Sequence, residues 1–188
     1  VELELALSLC PPDRIVFDSP AKTRAELERA LQAGVRINVD SLQELERLEQ
    51  MSLPPSASIG LRLNPCVGQG RIAETSTAMA GSKFGIDVQL HRRRILQAYG
   101  THAWLRGLHF HVGSQGCGLD LFVDAARAAD DLLVEILKIG RGMDWVDLGG
   151  GLPVAYGEQE SAPEFEDLAR ALREAAPGLW AGPHILIT

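Results

Sequence analysis

Six short stretches of the chain are almost continuously apolar or β-branched: residues 14–17, 36–39, 58–63, 105–112, 144–148 and 184–188. Runs of this length read as buried strands of a parallel sheet, which is covered on both faces and so loses polar alternation. Between them apolar residues recur at helical spacing, as with Leu27, Ala30 and Leu31, or Leu42, Leu45 and Leu48. Three helices are announced by a hydroxyl followed three residues later by Glu: Thr23/Glu26, Ser41/Glu44 and Ser161/Glu164, the last with Pro163 in its first turn. The longest helical pattern, residues 121–139, ends at Gly140 as a C-terminal cap would.

Strand–helix alternation repeated in this way predicts an α/β fold with a mainly parallel sheet. An open dinucleotide-binding sheet would place a glycine-rich turn after its first strand, where this chain has Asp18, Ser19 and Pro20. A closed (β/α)8 TIM barrel needs about 250 residues, so six strands in 188 residues are three quarters of one. The expectation is an incomplete (β/α)8 barrel over residues 1–188, with about six of eight strands. Residues 1–9 are already helical in pattern and the chain stops on a strand-like run, so it reads as an internal stretch of a longer enzyme. Residues 68–81 (GQGRIAETSTAMAG) lack periodicity. A loop of that length either covers a site at the barrel mouth or is a tolerated surface insertion.

Hydrophobic residues make up 46% of the chain and charged residues 23%, an ordinary globular mixture. The 18 Lys and Arg against 25 Asp and Glu leave a net charge of −7. That argues against nucleic acid as a partner, because such affinity comes from clustered basic residues neutralising phosphates. The one tight basic cluster, Arg92, Arg93 and Arg94, falls in a helical pattern and reads as a solvated face. No apolar stretch is long enough to span a bilayer, and no basic-then-apolar start resembles a secretory signal, so no membrane partner is expected. Cys10, Cys66 and Cys117 are far apart, odd in number and without C-x-x-C spacing. Neither a disulfide framework nor a zinc knuckle is expected, and a reducing, cytoplasmic setting fits.

Candidate chemistry gathers where strands end. The run DLGGG at 147–151 follows an apolar stretch: Gly149, Gly150 and Gly151 either let backbone N–H groups converge on an anion such as a phosphate or form a ligand-free hinge. In HFHVGS at 109–114, strand alternation puts His109 and His111 on one face, with a hydroxyl at Ser114 a step beyond. Two such imidazoles either bind a metal or line a pocket for a planar ligand. A metal would need further ligands, and only Asp40 and Asp147 are well placed, so no metal site is assigned. Arg62 lies inside an apolar strand and requires an anionic partner, either a carboxylate or a ligand. Lys83 reads as a loop-pinning ion-pair residue rather than a nucleophile.

Taken together the motifs resemble the barrel domain of the pyridoxal-phosphate-dependent decarboxylases of the alanine-racemase fold (fold type III), which include diaminopimelate, ornithine and some arginine decarboxylases. The resemblance runs in register through RIVF at 14–17, PAKT at 20–23, INVDS at 37–41, LRLNP at 61–65, SKFG at 82–85, GLHFHVGSQ at 107–115 and DLGGG at 147–151. It implies pyridoxal 5'-phosphate as cofactor and decarboxylation of a basic or diamino amino acid as the reaction. The alternative it leaves open is a non-catalytic cofactor-binding or regulatory homologue. By the same resemblance His111 would stack on the cofactor ring, Ser114 would hydrogen-bond its phosphate and Gly149, Gly150 and Gly151 would cradle that phosphate. Arg62 would lie beneath the cofactor near its ring oxygen, His109 would line the pocket beside it, and Lys83 would be structural or at an interface.

The catalytic residues are expected outside this chain. In the family the Schiff-base lysine lies on an upstream strand, a carboxylate for the pyridine nitrogen follows the last strand, and the acid cysteine belongs to a C-terminal β domain of the other subunit. None of Cys10, Cys66 or Cys117 matches that cysteine by position. A homodimer and a small amino-acid substrate are therefore the implied partners. Gln115 resembles the diaminopimelate enzymes and Pro153 the ornithine enzymes.

Overall fold

The computed structural model describes residues 1–70, 76–115, 117–157 and 162–187. The first half of the chain runs α1 (Glu2–Leu9), a 3-10 turn (Pro12–Arg14), β1 (Val16–Asp18), α2 (Arg24–Ala33), β2 (Arg36–Val39), α3 (Leu42–Glu49), β3 (Ser58–Asn64) and β4 (Ile86–Asp87). The second half runs α4 (Val88–Thr101), β5 (Leu105–Phe110), α5 (Leu119–Lys138), β6 (Trp145–Asp147), α6 (Phe165–Ala175), α7 (Gly178–Ala181) and β7 (Ile185–Ile187). All strand pairs are parallel, in the order β1-β2-β3-β5-β6-β7, with β4 attached to the C-terminal end of β3.

Each of the six apolar runs overlaps a strand. β1 starts later than expected because Pro12–Arg14 close a turn first, and β5 stops at Phe110, leaving His111 and Val112 in the exit turn. The two-residue β4 was too short to show as a pattern. Thr23 and Glu26 form the reciprocal cap that the sequence predicts. At Ser41 only half of the motif forms: the hydroxyl accepts from the Glu44 N–H, but the Glu44 carboxylate turns back to accept from the Asp40 N–H at 2.8 Å. Ser161 lies outside the described residues; α6 is capped at Glu164, whose N–H donates to the Asp167 carboxylate. The arginine cluster lies on a solvated face, with Arg93 and Arg94 exposed, and there Arg92 pairs with Glu135 of α5 at 2.8 Å and Arg94 with Glu46 of α3 at 3.1 Å.

Alternation divides the sheet into two faces. Ile37, Val39, Ile59, Leu61, Leu63, Leu108, Phe110 and Val146 pack fully buried with the helices' apolar stripes into one core. The opposite face carries Asn38, Asp40, Arg62, Asn64, His109 and Asp147, together with Trp145. The Trp145 indole lies across two glycines: a Cβ on Gly60 would meet its ring at 2.5 Å and one on Gly107 at 2.0 Å. Its Nε1–H donates to Ser58 Oγ at 3.1 Å, so the polar end is satisfied.

The sheet is curled into an arc. In a flat sheet β1 and β5, three strand spacings apart, would be about 14 Å from each other. Yet Asp18 Oδ2 of β1 lies 3.6 Å from His109 Nε2 of β5. Only closure toward a barrel brings those side chains together. The architecture is α/β, an incomplete TIM barrel in which six parallel strands of the described residues follow one another around the arc, β4 being a short appendage of β3, with helices outside.

Candidate functional site

Five strand exits deliver ionisable side chains to one place inside the arc: Asp18, Asp40, Arg62, His109 and Asp147. Arg62 Nη1 lies 3.0 Å from Asp18 Oδ2 and 3.5 Å from Asp40 Oδ1, so the anionic partner that its burial demanded is a pair of carboxylates. The Phe84 ring sits 5.0 Å from its guanidinium, covering the other side. His109, only 4% exposed, places Nδ1 3.1 Å from Asp147 Oδ2 and Nε2 3.6 Å from Asp18 Oδ2. Neither nitrogen is well aligned for a hydrogen bond, yet both lie close enough to a carboxylate for hydrogen bonding and charge to favour the protonated ring together.

The titrations follow from this arrangement. Burial alone would depress the His109 imidazole, but the Asp147 and Asp18 carboxylates outweigh it and raise the pKa to about 9. Burial pushes Asp18 up, and the His109, Arg62 and Lys22 cations more than reverse it, holding the carboxyl below its ordinary value. At Asp40 burial prevails over Arg62 and the Gly85 N–H, and the carboxyl is raised.

His111 behaves in the opposite way to His109. Its ring is half-buried, 6.4 Å from the His109 ring and 18° from parallel. Burial, then the nearby Arg62 and His109 cations, lower its pKa, which leaves a neutral imidazole at physiological pH. The glycine run packs directly on it. Gly149 has φ +69°, and a Cβ there would lie 2.5 Å from His111 Nδ1. Gly151 has φ +102°, and a Cβ there would lie 2.0 Å from the Gly113 carbonyl oxygen. Gly150 faces open space.

The Gly149 N–H donates to Asp147 Oδ1 at 2.8 Å and is occupied, whereas the N–H groups of Gly150 and Gly151 have no partner among the described residues. The turn is therefore a cradle with two free donors and no side chain filling it, beside a neutral aromatic ring. Those residues fit a planar ligand carrying an anionic group. Ser114 is exposed next to Gly113.

Two further contacts build the site's walls. Thr77 Oγ1 donates to the His111 carbonyl at 2.7 Å and Thr77 N–H to that of Val112 at 3.1 Å, while Ser76 bridges to Gly113. The end of the long 68–81 loop is thus stitched onto the β5 exit; residues 71–75 of that loop lie outside the described residues. On the other side the Gln115 amide donates to Val154 O at 2.7 Å and accepts from Val154 N–H at 3.0 Å.

Sequence reasoning missed Asp18, the Gln115 contact and a buried pair, Lys22 Nζ to Glu44 Oε1 at 3.0 Å. The signal for Asp18 was its place at a strand exit, and for Glu44 its place beside apolar helical positions. Lys83 is exposed with its ammonium 5.0 Å over the Phe84 ring, not in an ion pair among the described residues. No group of three or more His, Cys, Asp or Glu side chains among the described residues is arranged to hold a metal ion.

The parallel α/β arc, with its polar groups at the strand exits and a glycine turn against His111, agrees with the alanine-racemase type of barrel that the motifs resemble. The chain belongs to the pyridoxal-dependent decarboxylases, residues 1–187 matching the model of their pyridoxal-binding domain. It is 35% identical over 163 residues to diaminopimelate decarboxylase of Archaeoglobus fulgidus, covering 85% of this chain and 39% of that one. Against diaminopimelate decarboxylase of Pseudomonas aeruginosa it is 36% identical over 171 residues, covering 89% and 41%. The crystal structure of diaminopimelate decarboxylase from Helicobacter pylori complexed with L-lysine superposes with a TM-score of 0.84 at 27% identity, covering 99% of this chain and 48% of that one. The chain spans 39% and 41% of the length of these two curated relatives.

Proposed function

We propose that the full-length protein containing this chain decarboxylates a basic or diamino amino acid, with this chain forming the wall that holds pyridoxal 5'-phosphate. The observation that carries the reading is the Gly149–Gly151 turn seated against a neutral His111 at the strand exits. In this reading the His111 ring face takes the flat cofactor ring, since an uncharged imidazole stacks without a desolvation penalty for charge. The free N–H groups of Gly150 and Gly151, with the Ser114 hydroxyl, hold the phosphate. Gly149 contributes its missing side chain, which lets the turn approach His111, while its own N–H stays on Asp147.

When bound, the cofactor supplies the electron sink for breaking the bond between Cα and the carboxylate. The protein groups around it supply orientation and field. Arg62, held by Asp18 and Asp40, would lie beneath the bound cofactor, where its positive charge would favour an anionic ring oxygen. His109, kept protonated by Asp147 and Asp18, adds a second fixed cation beside His111 without presenting a proton acceptor. The likeness to diaminopimelate decarboxylases supports a diamino acid as substrate, and the family resemblance supports a homodimer. Three free cysteines fit a cytoplasmic setting.

The test is carbon dioxide release by the purified full-length protein, with and without added pyridoxal phosphate, from diaminopimelate, ornithine, lysine and arginine. Cofactor-dependent release from one of these is expected. Tight cofactor binding with no release from any of them would establish the non-catalytic homologue instead.

A further inference from the structure

The Gln115 side chain is bound at both ends of its amide to one backbone unit of another loop. Its Nε2 donates to Val154 O at 2.7 Å, and its Oε1 accepts from Val154 N–H at 3.0 Å. A side-chain amide that pairs with a peptide in this two-way fashion replaces one rung of a β ladder, without a strand on either side. The loops so joined are the exit of β5, carrying Gly113 and Ser114, and the exit of β6, carrying Gly149 to Gly151.

The same loops also meet where a Cβ on Gly149 would lie 2.5 Å from His111 Nδ1 and one on Gly151 2.0 Å from the Gly113 carbonyl oxygen. Those approaches are permissive rather than attractive: they show the close fit that missing side chains allow along the glycine run. Beyond it the β6 exit has no helix or strand from residue 148 to residue 157. The Thr77 contacts hold the β5 exit from its other side and do not reach the β6 exit. The Gln115–Val154 pair is a two-point polar tie between the loops.

We infer that Gln115 is a positioning residue that staples the two halves of the anion cradle, holding the Gly150 and Gly151 N–H groups opposite Ser114. This rests on the proposed cofactor reading, and deepens it by assigning the phosphate end of the site a dedicated clamp. Because the Gln115 amide is fixed to Val154 of the glycine-bearing loop, its loss is expected to affect affinity for the phosphate and spare affinity for the ring.

Equilibrium titration of the full-length protein with pyridoxal phosphate, with pyridoxal and with inorganic phosphate separates these effects. Wild-type protein is expected to prefer pyridoxal phosphate strongly over pyridoxal; absence of that preference would sink the cofactor reading itself. Gln115→Ala is expected to weaken pyridoxal phosphate and inorganic phosphate roughly tenfold, the scale of two lost hydrogen bonds, and to leave pyridoxal within about twofold. Gln115→Met restores the side-chain volume without the amide, and is expected to behave as Gln115→Ala. A wild-type preference that survives in both variants, a rescue by methionine, or an equal loss for pyridoxal would each overturn the staple.

Discussion

His109 and His111 are two residues apart, yet one ring is held cationic and the other neutral. Asp147 and Asp18 keep His109 protonated up to about pH 9, while burial and neighbouring cations keep His111 neutral. The folded value of His109 lies above the ordinary imidazole value of 6.5, so the folded state binds its proton more tightly than the unfolded chain does. Its contribution to stability is therefore complete below about pH 6.5 and is lost as the pH rises through about 9. Denaturant midpoints of the full-length protein should fall between pH 7 and pH 10, and fall less in His109→Gln. Imidazole titration by NMR should show one ring near 9 and the His111 ring below 6.5; a His109 ring titrating at its ordinary value would contradict the ionic row. Sequence alternation placed both histidines on one face, but not their division of roles, because Asp18 comes to His109 only through the curl of the sheet.

At the scale of elements, strands and caps were legible because they depend on local pattern: apolar runs, Thr23 with Glu26, Gly140 after α5. What closes elements against one another was not. Gly60 and Gly107 are interior glycines in strands, ordinarily a weakness, and are explained only by the Trp145 indole lying across them. Gly107→Ala, with its Cβ 2.0 Å from that ring, should cost about 2–3 kcal/mol in chemical denaturation, and a cost near zero would show that the indole moves freely.

The buried Lys22–Glu44 pair joins the β1 exit to α3, and Arg47 adds a hydrogen bond to the Lys22 carbonyl at 2.6 Å. Lys22→Met alone leaves Glu44 buried without its cation and should cost about 3–5 kcal/mol. The double variant Lys22→Met/Glu44→Leu should recover much of that loss, which a double-mutant cycle measures.

Across the whole molecule the sequence carried the α/β barrel architecture and the order of its strand-end motifs. The arrangement of the site came from the curl, which brings exits of non-adjacent strands within contact distance. The glycine run illustrates both parts: its position after β6 was readable, whereas only the structure shows that Gly149 spends its N–H on Asp147, leaving Gly150 and Gly151 as free donors. The central claim is that this turn, packed on His111 and Gly113, forms a cofactor cradle. Its most direct test is an absorbance titration of the full-length protein with pyridoxal phosphate, repeated for Gly151→Ala. That substitution forces a side chain into a φ of +102° and against the Gly113 carbonyl. Saturable binding that weakens roughly tenfold or more in the variant is the expected result. No binding by wild-type protein, or binding unchanged by Gly151→Ala, would contradict the account.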